Sequence, residues 1–76
     1  MTKWRSFYQN LSKAERAAYA DKAGTSVAYI ENYLLGAKKV PRRNLMQELA
    51  KAAEPECTLK DLLDHFHGDF DARIRR

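Results

Sequence analysis

The fold is decided by residues 16–36, RAAYADKAGTSVAYIENYLLG. Two short helical patterns flank Gly24 and the pair Thr25-Ser26. The small residue Ala20 precedes the glycine by four positions, and the β-branched Ile30 follows it by six. Two helices cross closely only where the first offers no bulk at the contact and the link between them can reach positive φ. This is the spacing of a helix-turn-helix. It predicts Ala20 against the turn from one side, with Ile30 and Tyr33 against it from the other.

Upstream, Ser12-Lys13-Ala14-Glu15 has the S-x-x-E form of a capping box and starts a helix at Lys13 that runs to about Ala23. Its predicted inner stripe is Ala14, Ala17 and Ala18 with Tyr19, leaving Arg16, Asp21 and Lys22 outside. Gly24 ends it as a C′ residue, and Thr25 or Ser26 can N-cap the next helix. That helix is expected over residues 27–34 and to stop at Gly36. Ile30, Tyr33 and Leu34 have inward spacing, while Ser26, Val27, Ala28, Glu31 and Asn32 lie outside or at the leading end. Before all this, Trp4, Phe7, Tyr8 and Leu11 recur at i, i+3, i+4 and i+7, one face of a first helix.

Downstream, Pro41 sits where a fourth helix would begin. Leu45, Met46, Leu49, Ala50 and Ala53 are its inward positions over residues 42–53, and Glu54-Pro55-Glu56-Cys57 breaks it. Thr58-Leu59-Lys60-Asp61 is a second capping pattern. It opens a fifth helix to about Phe66 whose apolar face is Leu59, Leu62, Leu63 and Phe66. The expected fold is all-α, a compact five-helix bundle, with residues 1–68 as the domain and 69–76 as a tail. That tail has only Phe70 and Ile74 as apolar residues, and disorder, helical extension and pairing with a second subunit all remain open for it.

Composition narrows the function classes. A chain of 76 residues holds one small core, and two prolines and three glycines among many Ala, Leu, Lys, Glu and Arg favour helices. The single cysteine, Cys57, excludes an internal disulfide and a cysteine-rich metal site. His65 and His67, two apart, would point about 200° from one another on a helix and cannot share a metal. No spacing ties Ser, His and Asp into a catalytic set, so no enzyme, no metal, no cofactor and no small-molecule ligand are expected. Nor is there an apolar run of membrane-span length, and the expected location is cytoplasmic. The net charge of +4 is uneven. Residues 1–53 carry ten Lys/Arg against four Asp/Glu, and residues 54–76 carry four against six. The cationic excess therefore falls on the helix-turn-helix part, where a polyanion would use it.

Lys38, Lys39, Arg42 and Arg43 crowd around Pro41 just after the third helix, and are candidate phosphate ligands. Arg16, Thr25 and Tyr29 are further phosphate candidates, with Lys13 beside them. If the third helix enters a DNA major groove, Val27 and Ala28 can meet thymine methyl groups, Asn32 can bind adenine in bidentate fashion, and Glu31 can accept from cytosine.

With these residues in view, positions 11–66 resemble the Cro/repressor family of phage-type helix-turn-helix proteins. The resemblance lies in Ala20-Asp21-Lys22-Ala23-Gly24-Thr25-Ser26 with Ile30, then Gly36, a basic loop, a proline, and Leu45-Met46-x-x-Leu49-Ala50. It implies a five-helix DNA-binding domain that represses transcription as a dimer on a palindromic operator. It also implies that the third helix is the recognition helix, with Ser26, Val27, Ala28, Glu31 and Asn32 toward the bases. Relatives often carry glutamines where this chain has Val27 and Ala28, so no operator sequence transfers. Leu62, Phe66, Phe70 and Ile74 are candidate dimer contacts, although a monomer core would use the first two as well. The alternative function is an antitoxin or protein-interaction adaptor on the same scaffold, meeting its partner through the acidic residues 54–76.

Overall fold

The computed structural model describes residues 2–67. Phe70, Ile74 and the rest of the expected tail lie outside them. Five helices follow in order: α1 (Lys3–Gln9), α2 (Lys13–Ala23), α3 (Val27–Tyr29), α4 (Arg43–Ala53) and α5 (Leu59–His67). The third continues without a break into a π-helical turn, Ile30–Leu34. No strand occurs among the described residues, and no helix there is long and apolar enough to cross a membrane.

Local chemistry sets most boundaries. The Thr2 hydroxyl caps α1 by accepting from the Arg5 amide. At α2 the capping box forms in full, since Ser12 accepts from the Glu15 amide and the Glu15 carboxylate accepts from the Ser12 amide. These contacts hold the Glu15 carboxyl below its ordinary range, the Ser12 backbone amide being the main cause. Gly24 adopts φ +80° at the end of α2, and Thr25 N donates to Ala20 O while Gly24 N donates to Asp21 O. That pair of bonds is a Schellman motif, which needs the left-handed backbone that glycine adopts without strain. Thr58 repeats the capping logic at α5, its amide donating to the Asp61 carboxylate at 2.9 Å.

Four expectations need correction. In α2 Tyr19 is buried as expected, but together with Ala20 and Ala23, whereas Ala14, Ala17 and Ala18 are exposed. At about 100° per residue the two stripes are roughly half a turn apart. Burying the large Tyr19 ring removes far more apolar surface from water than three methyl groups, so the helix takes that register. The third helix spans residues 27–34 as expected, but Gly36 is not its left-handed terminal residue. Ala37 takes the left-handed position at φ +53°, with Ala37 N donating to Leu34 O and Lys38 N to Tyr33 O. The π turn, marked by Leu35 N donating to Ile30 O at 2.9 Å, places that residue one position beyond Gly36. Tyr33 is 39% exposed, leaving Ile30 and Leu34 as the inward pair. Pro41 is buried but precedes the helix, because Arg42 is the N-cap of α4.

The core is a ring of aromatic and aliphatic side chains. Trp4, Tyr8, Ile30, Leu34, Leu49, Cys57 and Leu62 are its largest fully enclosed members. α2 packs on α4, and α5 closes against both α1 and α4. Two polar networks run through this packing. Trp4 Nε1 donates to the Tyr19 hydroxyl at 2.9 Å, which itself donates to Leu49 O at 2.7 Å. His65 lies against Trp4, with its Nε2 at 2.8 Å from Leu34 O and its Nδ1 on the Thr2 hydroxyl. A carbonyl can only accept, so the proton sits on Nε2 and Nδ1 accepts from Thr2. His65 thus ties α1, the end of the π turn and α5 together.

Candidate nucleic-acid interface

Two side chains of the third helix face directly away from its anchors. Ala28 and Asn32 each lie two residues from Ile30, which puts them opposite the buried side, and both are exposed. Ser26 is exposed and caps α3, its hydroxyl accepting from the Tyr29 amide at 3.1 Å. Val27 is half-buried and packs on the core. Of the five positions expected to meet bases, four are exposed, and Ala28 and Asn32 are the two opposite Ile30.

Glu31 is held. Its Oε2 accepts from the Tyr8 hydroxyl at 3.1 Å and from Arg16 Nη1 at 3.3 Å. Arg16 in turn donates through Nε to Leu11 O at 3.2 Å and through Nη2 to Gln9 O at 3.1 Å. Its guanidinium also lies 5.0 Å from the Tyr8 ring centroid. Burial, followed by the bond to Glu31, pushes the Tyr8 hydroxyl up to about 12, so it stays a proton donor. Arg16, expected at phosphate, therefore has an acceptor within the chain for each of its three nitrogens. It links the α1–α2 connection and α2 to the third helix through Glu31. The isolated sequence carries no signal for this, because the three partners lie 5, 7 and 15 residues away.

The remaining expected phosphate ligands are Thr25, Tyr29, Lys38, Lys39, Arg42 and Arg43. Thr25 is half-buried in the turn. Tyr29 and Tyr33 stack at a centroid distance of 5.3 Å and 50° between planes. Lys39 Nζ sits 4.6 Å from the Tyr33 centroid. Lys38, Arg42 and Arg43 are exposed, and Arg42 and Arg43 open α4. The four cations therefore extend from the end of the π turn to the first residue of α4. A concavity of about 610 Å³ runs between the start of α2 and the third helix. Leu11, Ala17 and Val27 line it together with Lys13, Arg16 and Glu31.

The candidate dimer residues divide. Leu62 is fully enclosed, and Phe66 is partly buried with its ring 5.7 Å from that of Trp4. Of the two uses open to them, both serve the core of the single chain. Leu59 and Leu63, expected to face inward with them, are instead about 40% and 41% exposed. With Val40, Pro41 and Met46 they line a separate groove of about 320 Å³ between α4 and α5. Cys57 is a free, buried thiol, raised from its ordinary value by burial. Compared with family models, with characterised proteins and with solved structures, the chain finds no match in any of the three.

Proposed function

We propose that this chain is a sequence-specific duplex-DNA-binding regulator of transcription, acting as a repressor. In this reading α2 and α3 form a helix-turn-helix and residues 27–34 are the recognition helix in the major groove. One observation carries the proposal. The outward edge made by Ala28 and Asn32 is followed, with no intervening element, by four exposed cations at Lys38, Lys39, Arg42 and Arg43. A reading edge bordered by phosphate ligands is what groove recognition requires, because phosphate contacts fix register and base contacts supply sequence. Asn32 would pair with adenine in bidentate fashion and Ala28 would touch a thymine methyl. Glu31, neutralised by Arg16, would hold the helix at its angle without repelling the duplex.

The test is fluorescence anisotropy with random and selected duplexes over a salt series. Affinity should fall steeply with salt. Lys38→Ala and Arg42→Ala should weaken all sequences alike and each flatten the log–log salt slope by about 1. Asn32→Ala should instead relax preference at one base pair, costing about 1–3 kcal/mol of discrimination. No binding to any duplex at low salt, or three variants indistinguishable from the parent, refutes the proposal.

The exposed groove between α4 and α5 favours a protein contact as well. On an operator with two half-sites one helical turn apart, ~34 Å, that contact would be a second copy of the chain. An antitoxin or adaptor would meet a different protein there. Sedimentation of the free protein, and selection of an inverted repeat from a duplex library, separate the two.

A further inference from the structure

Tyr33, expected to face inward and absent from the expected DNA contacts, organises the basic loop. Its carbonyl accepts from Lys38 N at 2.9 Å and from Lys39 N at 3.3 Å. Its ring lies 4.6 Å beneath the Lys39 ammonium. Tyr29 braces that ring from one turn back, at 5.3 Å. The left-handed Ala37 supplies the reversal that brings the Lys38 and Lys39 amides back to the Tyr33 carbonyl. At 39% exposure Tyr33 is not a core anchor, a task left to Ile30 and Leu34.

We propose that Tyr33 is a positioning residue that aims Lys39 at the phosphate backbone before DNA arrives. The inference rests on the DNA-binding reading above and names a part of it that neither motif nor spacing indicates. A lysine side chain loses considerable rotamer freedom when it is fixed on a phosphate. Holding it in place beforehand lowers that cost at the moment of binding. The ring face engages one side of the ammonium, and the ammonium has three donors, so N–H groups remain for a phosphate oxygen. An exposed contact of this type corresponds to about a two- to fivefold change in a binding constant.

The experiment is a double-mutant cycle in duplex affinity with Tyr33→Ala, Tyr33→Phe, Lys39→Ala and the Tyr33→Ala/Lys39→Ala pair, thermal unfolding being followed in parallel. Tyr33→Ala should weaken binding about two- to fivefold, and Tyr33→Phe should restore it because the ring is kept. In the Lys39→Ala background the Tyr33 substitution should have no further effect. Independently of DNA, the Lys39 ε-methylene protons should be shifted upfield by the ring in NMR spectra, and this shift should vanish in Tyr33→Ala. Additive effects, a Tyr33→Phe variant as weak as Tyr33→Ala, or an unshifted Lys39 each overturn the assignment while leaving DNA binding intact. A parent protein that binds no duplex overturns both.

Discussion

Exchanging Gly36 and Ala37 should make this protein more stable. The end of the π turn places an alanine, at φ +53°, where a left-handed residue is required. The bonds Ala37 N to Leu34 O at 3.0 Å and Lys38 N to Tyr33 O at 2.9 Å keep it there. A side-chain-bearing residue in this region costs about 1–2 kcal/mol. Glycine removes that cost but loses about 0.5–1 kcal/mol more conformational freedom on folding. Ala37→Gly alone should therefore gain about 0.5–1 kcal/mol. Gly36 has no positive φ, and a Cβ there would meet only Lys38 Cγ at 3.9 Å, an ordinary contact. Gly36→Ala should gain about 0.4–1 kcal/mol by restricting the unfolded chain. The double variant should thus gain about 1–2 kcal/mol, a rise of roughly 5–15 °C in Tm for a domain of this size. Gly24→Ala is the internal control. A Cβ there meets nothing within 4 Å, but φ is +80°, so the substitution should cost about 1 kcal/mol through the backbone alone. Urea unfolding followed by far-UV circular dichroism measures all four. Loss of stability in Ala37→Gly, or a Gly36→Ala penalty equal to that of Gly24→Ala, would put the left-handed residue at Gly36 and refute the argument.

Two further predictions concern the buried polar networks. Tyr19→Phe removes the acceptor of Trp4 Nε1 and the donor to Leu49 O, both in a buried setting. It should cost about 1–3 kcal/mol in urea unfolding, and a change under 0.5 kcal/mol would mean that Trp4 finds another acceptor. Burial, foremost, lowers the His65 pKa below its ordinary 6.5, with Arg5 adding to the effect against the opposing bonds to Leu34 and Leu35. The folded state thus favours neutral imidazole, and the unfolded chain binds more protons once pH drops below about 6.5. Stability should be complete above that value and decline as pH falls from it toward the folded-state pKa. The lowered Glu15 and Asp61 carboxyls add their own losses only at more acidic pH. In His65→Gln the first phase of that decline should disappear, and an unchanged urea midpoint between pH 7.5 and 5.5 in the parent would exclude the His65 linkage.

The legible parts of the chain were those governed by neighbours in sequence. Ser12 with Glu15, Thr58 with Asp61, and Gly24 after Ala23 act within a few residues of one another, so the starts of α2 and α5 and the end of α2 could be read directly. The amphipathic pattern of α4 was legible for the same reason, with Met46, Leu49, Ala50 and Ala53 buried as spaced. Within α2 two sequence signals conflicted. The alanine stripe pointed one way and the Ala20 turn contact the other, and packing settled the matter for Tyr19, Ala20 and Ala23.

By itself, then, the sequence determined an all-helical chain, the order of its five helices, and a basic loop following the third. These follow from capping, periodicity and charge, which need no partner from elsewhere in the chain. Tertiary structure alone decided that Arg16 and Glu31 hold each other instead of facing outward and that His65 binds Leu34. The local hydrogen bonds of the π turn put Ala37, not Gly36, in the left-handed position and so brought Lys39 over Tyr33. Arg16 and Glu31 stand 15 residues apart and His65 and Leu34 stand 31 apart, so each pair meets only after the helices pack, and spacing along a single helix carries no record of that.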